Sequence, residues 1–127
     1  MNWNSILQLS EVAHKDNLDH INLLWRAIMS MDIIEIYTLL HDNIQYNGYT
    51  RIEFVKVIDS KFKKHRDYGD TQLYLDLLEC PKCHKNKIIC SFIGTESFVG
   101  FSLYFEIENS EIISIDTCSF YGDIENI

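Results

Sequence analysis

Two cysteines and a histidine stand close together near the middle of the sequence, in the stretch CPKCH. Cys80 and Cys83 form a C-x-x-C pair, and His84 follows directly. This spacing is used for covalent haem attachment, for half of a zinc site and for dithiol redox chemistry. Covalent haem attachment normally occurs in exported proteins, and we expect a cytoplasmic protein (see below). Dithiol redox chemistry usually needs a thiol at a helix N-terminus, whereas strand-like segments flank this pair. The favoured interpretation is therefore the tip of a β-hairpin, and no cofactor is predicted.

Zinc at this hairpin tip is the alternative that stays open. The thiolates of Cys80 and Cys83 would fill two tetrahedral positions, and a closed structural site needs two more ligands. Cys90 lies on the next predicted strand and Cys118 lies towards the far end of the last one, so a complete site would require a second chain. The simpler expectation is that Cys90 and Cys118 pack as small apolar residues.

Three residues are candidates for proton transfer. Asp116 lies on a predicted strand, where alternation places its side chain opposite the apolar face unless the register shifts by one residue. His41 directly follows a short predicted helix that ends at Leu40, and Tyr46 lies in the next segment. Because His41 and Asp42 are adjacent on a helix, their side chains diverge and do not form a catalytic dyad. The simpler interpretation of this pair is a histidine near a helix C-terminus and a solvated carboxylate.

The charge balance argues against a nucleic-acid partner. The chain carries 19 acidic and 11 basic residues, for a formal net charge of −8. Binding to a polyanion requires several phosphate-neutralising residues along one face, and the basic cluster KFKKHR at 61–66 spans little more than one helical turn. We interpret this cluster as a solvated helix end, with His65 and Arg66 facing water.

Length and composition indicate a single domain over residues 1–127. Apolar residues make up 46 % of the chain and charged residues 24 %, which is typical of soluble globular proteins. No apolar stretch is long enough to span a bilayer, so no membrane partner is predicted. The start MNWNSILQLS lacks the basic region and the continuous apolar core of a secretory signal. We therefore expect a cytoplasmic protein with reduced thiols.

The first half of the sequence has helical periodicity. A helix is predicted over about residues 4–13, and LDHINLLWRAIM carries an apolar stripe at i, i+3, i+4 and i+7. Asp32 with Glu35 starts a short helix, IIEIYTLL, and the Asn47-Gly48 pair predicts a turn. Thr50 and Glu53 form a capping box for a longer helix that stops at Gly69.

From residue 71 the hydrophobic period becomes alternating, which predicts four strands. The third strand places Phe101, Leu103 and Phe105 on one face. Short connections between neighbouring strands predict an antiparallel meander. Helices followed by one antiparallel sheet form the α+β pattern, with the helices packed on one face of the sheet. The strand segments are TQLYLDLL, NKIICSFIG, SFVGFSLYFEIE and EIISIDTCSFY.

This order of elements resembles the nuclear transport factor 2-like superfamily, which has a cystatin-like fold. The likeness runs from about Leu18 to Tyr121 and includes residues between Leu39 and Phe54 that such sequences commonly share. It implies a cone-like α+β domain with its core at about 17–121, in which a strongly curved sheet wraps around the helices and leaves a pocket open at one end. The shared residues are Leu40, Asp42, Ile44, Tyr46, Gly48 and Phe54.

The resemblance implies binding of a small apolar ligand or a protein partner in the cone, and catalysis is not evident. The first alternative is a SnoaL-like or ketosteroid-isomerase-like enzyme that moves a proton on a small apolar substrate, using Asp116, His41 or Tyr46. The second is an acidic toxin-immunity-type protein, suggested by the net charge. The expected pocket residues are Trp25, Tyr37, His41, Tyr46, Phe101, Leu103 and Thr117.

The outer face of the sheet is the expected site of self-association. In this superfamily that face often forms a dimer interface, and tyrosine is enriched at interfaces. A homodimer is therefore predicted through Tyr74, Asp76, Tyr104 and Glu106.

Overall fold

The computed structural model describes residues 18–79, 87–109 and 111–117, and within them three helices precede four strands. The predicted N-terminal helix at about 4–13, the Cys80–Cys83 pair and Cys118 lie outside these residues. The strands form one antiparallel sheet in the order β1-β2-β3-β4, which confirms the α+β class and the meander. The elements are α1 (Leu18–Met29), α2 (Ile33–Leu39), α3 (Arg51–Asp67), β1 (Leu73–Glu79), β2 (Ile88–Gly94), β3 (Gly100–Glu108) and β4 (Glu111–Thr117).

The predicted caps of α2 and α3 are confirmed. Asp32 accepts a hydrogen bond from the backbone N–H of Glu35 at 3.1 Å. At α3, the Thr50 hydroxyl accepts from the Glu53 backbone N–H at 3.2 Å, and the Glu53 carboxylate accepts from the Thr50 N–H at 2.9 Å. This reciprocal pair satisfies two backbone donors that the first helical turn leaves free. Gly69, with φ of +93°, follows the end of α3 in the left-handed region that suits glycine.

The hydrophobic core lies between the three helices and one face of the sheet. On β3 the alternation is confirmed, because Phe101, Leu103 and Phe105 are all buried in this core. The residues that the helices contribute to this core are Leu24, Ala27, Ile28, Ile36, Leu39, Phe54, Val55, Ile58 and Phe62.

Among the described helices, none is both long enough and apolar enough to cross a membrane.

The opposite face of the sheet is more polar. Ser91 and Ser102 face each other across β2 and β3, with their hydroxyl oxygens 2.9 Å apart, and both are buried. Tyr74 is half-exposed on the same face, and Glu106 is exposed. The strand register places the predicted dimer residues on this face: Tyr74, Asp76, Tyr104 and Glu106.

The segment between α2 and α3 is attached to the edge of β4 through Gln45. The Gln45 N–H donates to the Ile113 carbonyl at 3.0 Å, and the Gln45 carbonyl accepts from the Ile115 N–H at 2.8 Å, as in a parallel bridge. The predicted turn at Asn47 and Gly48 follows, with φ of 55° and 85°. The connection from α2 to α3 is thus held against the sheet.

Candidate functional site

A cavity of about 380 Å³ opens between α1, the α2–α3 connection and the start of β4. Three isoleucines supply its apolar wall, while two imidazoles, one amide and one carboxylate supply its polar groups. A concave site with an apolar wall and a few convergent polar groups is the usual form of a small-molecule site. We call it the His20–His41 cavity, and it is lined by His20, Ile21, His41, Asn43, Ile44, Glu111 and Ile112.

The two histidines of this cavity are stacked. The ring centroids of His20 and His41 lie 5.5 Å apart, and the ring planes differ by 11°. Nε2 of His20 is 2.8 Å from the carbonyl oxygen of Leu39. A carbonyl oxygen only accepts hydrogen bonds, so Nε2 carries the proton and Nδ1 of the neutral ring is left as an acceptor. The contact between α1 and α2 therefore fixes both the tautomer and the orientation of His20.

The opposite wall is set by the attachment of the α2–α3 connection to β4. Gln45 holds this connection to β4, which brings Asn43 and Ile44 beside Ile112. Ile44 is buried, whereas Asn43 is exposed. Glu111, the first residue of β4, is also exposed and adds a carboxylate to the rim.

Tyr46, which the sequence predicted as a site residue, contacts the backbone of the lining residue His41 and does not itself line the cavity. Its phenol is buried, stacks on Phe54 with centroids 5.1 Å apart, and donates a hydrogen bond to the carbonyl oxygen of His41. Burial raises the pKa of Tyr46 to about 12, so the phenol keeps its proton at neutral pH. Tyr46 thus holds the backbone of His41 in place, and its own ring is not part of the lining.

Three of the predicted pocket residues belong to the core around β3. Phe101 and Leu103 have no exposed surface and fill the space under the helices. The ring of Trp25 meets Phe105 edge-on, with centroids 6.3 Å apart. These side chains pack against one another and do not line the His20–His41 cavity.

Tyr37 lies against the start of α3. The Arg51 guanidinium sits 3.9 Å from the centre of its ring and also donates to its backbone carbonyl. Arg51 is 3.9 Å from the carboxylate of Asp42, which is consistent with the prediction that Asp42 does not pair with His41. The ring of Tyr37 remains 41 % exposed, outside the cavity.

Asp116 and Thr117 lie at the end of β4. Asp116 is paired in register with Tyr104, on the face of the sheet opposite the core, and its carboxylate accepts from the Thr117 N–H at 2.8 Å. The Thr117 hydroxyl accepts from the Asn47 side-chain amide at 3.4 Å. The structure therefore does not bring Asp116 and the imidazole of His41 together in one cavity.

A buried ionisable pair that the sequence interpretation missed joins α3 to the turn between β2 and β3. The prediction that His65 faces water is wrong, because His65 and Asp70 are both buried and Nδ1 of His65 is 2.8 Å from Oδ2 of Asp70. Lys61 is buried too, so the basic cluster is only partly solvated, although Arg66 is exposed as predicted. The available signal was the helical period, since His65 follows the buried Phe62 by three residues on α3.

The carboxylate of Asp70 accepts three further hydrogen bonds. They come from the backbone N–H groups of Glu96 and Ser97, each at 2.8 Å, and from the Ser97 hydroxyl at 2.6 Å. Burial alone would raise the pKa of Asp70, but the hydrogen bonds from Ser97, His65 and Glu96 hold it well below its usual range. Asp70 is therefore an ionised acceptor, and His65 must donate through Nδ1.

The remaining ring nitrogen of His65 does not line the His20–His41 cavity. Nε2 is buried and has no hydrogen-bond partner among the described residues. The ring lies beside Phe101, with centroids 6.2 Å apart. A base that works on a substrate must come within hydrogen-bond reach of it, so we assign the His65–Asp70 pair a structural role.

Within the described ranges, no group of three or more histidine, cysteine or acidic residues is arranged to hold a metal ion. Zinc at Cys80 and Cys83 concerns residues outside those ranges. Cys90 is buried on β2, in keeping with its expected packing role.

Comparison of the chain with protein-family models, curated proteins and solved structures finds no match. The likeness to the nuclear transport factor 2-like superfamily therefore remains a prediction from the sequence. Any function has to be inferred from the geometry of the candidate site itself.

Proposed function

We propose that the protein is a binding domain that holds a small, largely apolar ligand in the His20–His41 cavity. The observation that carries the proposal is the stacked imidazole pair, which faces isoleucine side chains in a concave space of about 380 Å³. Small-molecule sites measure about 300–1,000 Å³, so this volume suits a ligand with one or two rings. The hydrogen bonds that hold His20 and the backbone of His41 mean that the site is largely formed before a ligand arrives.

The proposal retains the cone-like architecture and the superfamily likeness predicted from the sequence. Helices over one face of an antiparallel meander, with the α2–α3 connection bridged to the last strand, are in keeping with that architecture. Because Phe101 and Leu103 occupy the centre of the core, the proposed ligand sits nearer its edge, beside α1 and β4.

Binding is better supported than proton transfer because the three acid–base candidates do not converge. His41 presents its imidazole to the cavity, whereas the Tyr46 phenol is bonded to the His41 backbone and Asp116 lies on the other sheet face. General acid–base catalysis requires the base within hydrogen-bond reach, about 3 Å between heavy atoms, of the group whose proton it moves. Only His41 among the three candidates is available to a ligand in this cavity.

Titration with benzyl alcohol tests the proposal. In protein labelled at isoleucine methyl groups, we expect saturable NMR shift changes at Ile21, Ile44 and Ile112. Asn43→Trp should block the mouth of the cavity and abolish these changes. Ser60→Trp, which makes the same kind of substitution at an exposed position on α3, should leave them intact.

Two results would count against a ligand site here. One is the absence of methyl shift changes at millimolar benzyl alcohol in the wild-type protein. The other is equal binding by the wild-type protein and by Asn43→Trp, provided that the variant keeps the wild-type pattern of methyl resonances. Either result would remove the basis for the proposed function.

A further inference from the structure

We infer that the ligand of the His20–His41 cavity is an organic cation, an amine carried on a flat apolar body. This inference rests on the proposed binding function and adds the chemical class of the ligand. It depends on the sign of the charge at the cavity and on which hydrogen-bonding groups remain free there.

Two polar groups of the lining, the Glu111 carboxylate and Nδ1 of His20, are acceptors. Glu111 offers a carboxylate, which only accepts hydrogen bonds when ionised. Nδ1 of His20 is also an acceptor in the neutral ring, because Nε2–H is committed to the carbonyl of Leu39. None of the described lining residues is a lysine or an arginine. The Asn43 amide and the His41 ring can both donate and accept, so the acceptors added by Glu111 and His20 favour a ligand that brings hydrogen-bond donors.

Two backbone donors beside the cavity are already in use. The Ile44 N–H donates to the His41 carbonyl at 3.3 Å, and the Gln45 N–H donates to the Ile113 carbonyl at 3.0 Å. Anion sites in proteins commonly use free backbone N–H groups, and these two are not free. Neither of these two donors is therefore available to a carboxylate or a phosphate.

The charge around the rim points the same way. Glu108 lies opposite Glu111 in the register of β3 and β4, and both are exposed, so two carboxylates stand at this end of the hairpin. The whole chain carries a formal charge of −8, which attracts cations and repels anions at long range. An ammonium group at the rim would meet favourable charge on approach and after binding.

The apolar part of the ligand follows from the wall. Ile21, Ile44 and Ile112 offer no hydrogen bonds, so the body of the ligand must be apolar where it meets them. The parallel planes of His20 and His41 favour a flat ring, since aromatic rings pack well in offset stacks.

An anionic ligand is the contrary expectation. The first turn of α1 contributes His20 and Ile21 to the cavity, and the N-terminus of a helix attracts negative charge. An imidazole that carries a second proton would attract negative charge as well. The experiment must therefore separate cation from anion at constant size. Benzylamine, benzyl alcohol and benzoate share one ring and carry positive, zero and negative charge at neutral pH.

We expect benzylamine to bind about tenfold more tightly than benzyl alcohol at low ionic strength, and benzoate to bind most weakly. Glu111→Gln should reduce the preference for benzylamine over benzyl alcohol about fivefold, as expected for loss of one partly exposed charge pair. Glu96→Gln removes the same charge at the opposite end of the sheet and should have little effect. Isoleucine methyl shifts report all three titrations.

The outcomes distinguish the inference from the function on which it rests. If benzoate binds most tightly, or benzylamine and benzyl alcohol bind equally, the cation assignment is overturned while the binding function stands. If the preference for benzylamine survives Glu111→Gln in full, the role of Glu111 is overturned. If none of the three compounds shifts the cavity methyls, the proposed function itself fails.

Discussion

Nδ1 of His65 donates to Oδ2 of Asp70 across 2.8 Å, and the two side chains are only 1 % and 0 % exposed. The same carboxylate accepts from two backbone N–H groups and one hydroxyl of the turn between β2 and β3. The two partners are five positions apart along the chain, whereas the turn at Glu96 and Ser97 is far away in sequence. One carboxylate therefore joins the C-terminal end of α3 to the turn between β2 and β3.

Asp70→Asn is expected to lower the free energy of unfolding by about 3 kcal/mol, because it breaks a buried, multiply bonded charge while leaving its partners buried. Urea denaturation followed by far-UV circular dichroism measures the change. Asp67→Asn is the matched control, since Asp67 is an exposed carboxylate on the same helix, and it should shift the free energy by less than about 0.5 kcal/mol. Equal effects of the two substitutions would contradict the role given to Asp70.

Stability should fall in acid because of the same carboxylate. The folded-state pKa of Asp70 lies below its value in the unfolded chain, so its contribution is fully present above about pH 4 and is lost as the pH falls below that. Denaturation at a series of pH values between neutral and acidic measures this slope. In Asp70→Asn the slope below about pH 4 should be shallower. Parallel pH profiles for wild type and variant would be inconsistent with the assignment.

Gly94→Ala should destabilise the protein by about 2 kcal/mol, since a methyl group there has no room. An added Cβ would overlap the Asp70 carboxylate and lie 2.6 Å from the Ser97 hydroxyl oxygen. A double-mutant cycle with Asp70→Ala tests the cause, because removing the carboxylate should reduce the cost of the added methyl. Strict additivity of the two free-energy changes would show that the clash lies elsewhere.

Phe98→Gly is expected to stabilise the fold by about 1 kcal/mol. Phe98 has φ of 58°, where a side chain costs energy, and it is 73 % exposed, so its ring contributes little burial. Asn109→Gly is the comparison, because Asn109 also has positive φ (53°) but asparagine tolerates this conformation better. Chemical denaturation should give a larger gain at position 98. A loss of stability in Phe98→Gly would mean that the ring makes contacts important to the fold.

Cys90 should resist alkylation as long as the protein is folded. Burial raises the pKa of its thiol, and the thiolate is the reactive form. Treatment with iodoacetamide at mildly alkaline pH, followed by peptide mass spectrometry, should leave the peptide containing Cys90 unmodified in native protein and alkylated in urea. Rapid modification of Cys90 in the native state would show that β2 opens locally.

Local signals in the sequence predicted much of the fold. The Thr50–Glu53 capping box, the Asn47-Gly48 turn and the alternation of Phe101, Leu103 and Phe105 depend on neighbours within a few residues. Each is confirmed by the structure. The α+β class was predicted correctly because the helical hydrophobic period of the first half gives way, from residue 71, to the alternating period of strands.

The candidate site was less predictable because its parts come from distant segments. His41 was identified, but its stacking partner His20 is 21 positions earlier and Glu111 is 70 later, so no local pattern joins them. His65 was misassigned because its sequence neighbours are basic, while the group that makes its burial favourable, Asp70, lies beyond the helix. Tertiary contacts of this kind decide side-chain environment, and a single sequence does not reveal them.

The Gln45 bridge has a consequence for the behaviour of the protein at high concentration. The unpaired edge of a β-strand offers free N–H and C=O groups with which a strand of another chain can pair. Such pairing is a common route to fibrils. Gln45 occupies both the Ile113 carbonyl and the Ile115 N–H in the middle of β4. Growth of a cross-β stack from this strand would first require that bridge to detach.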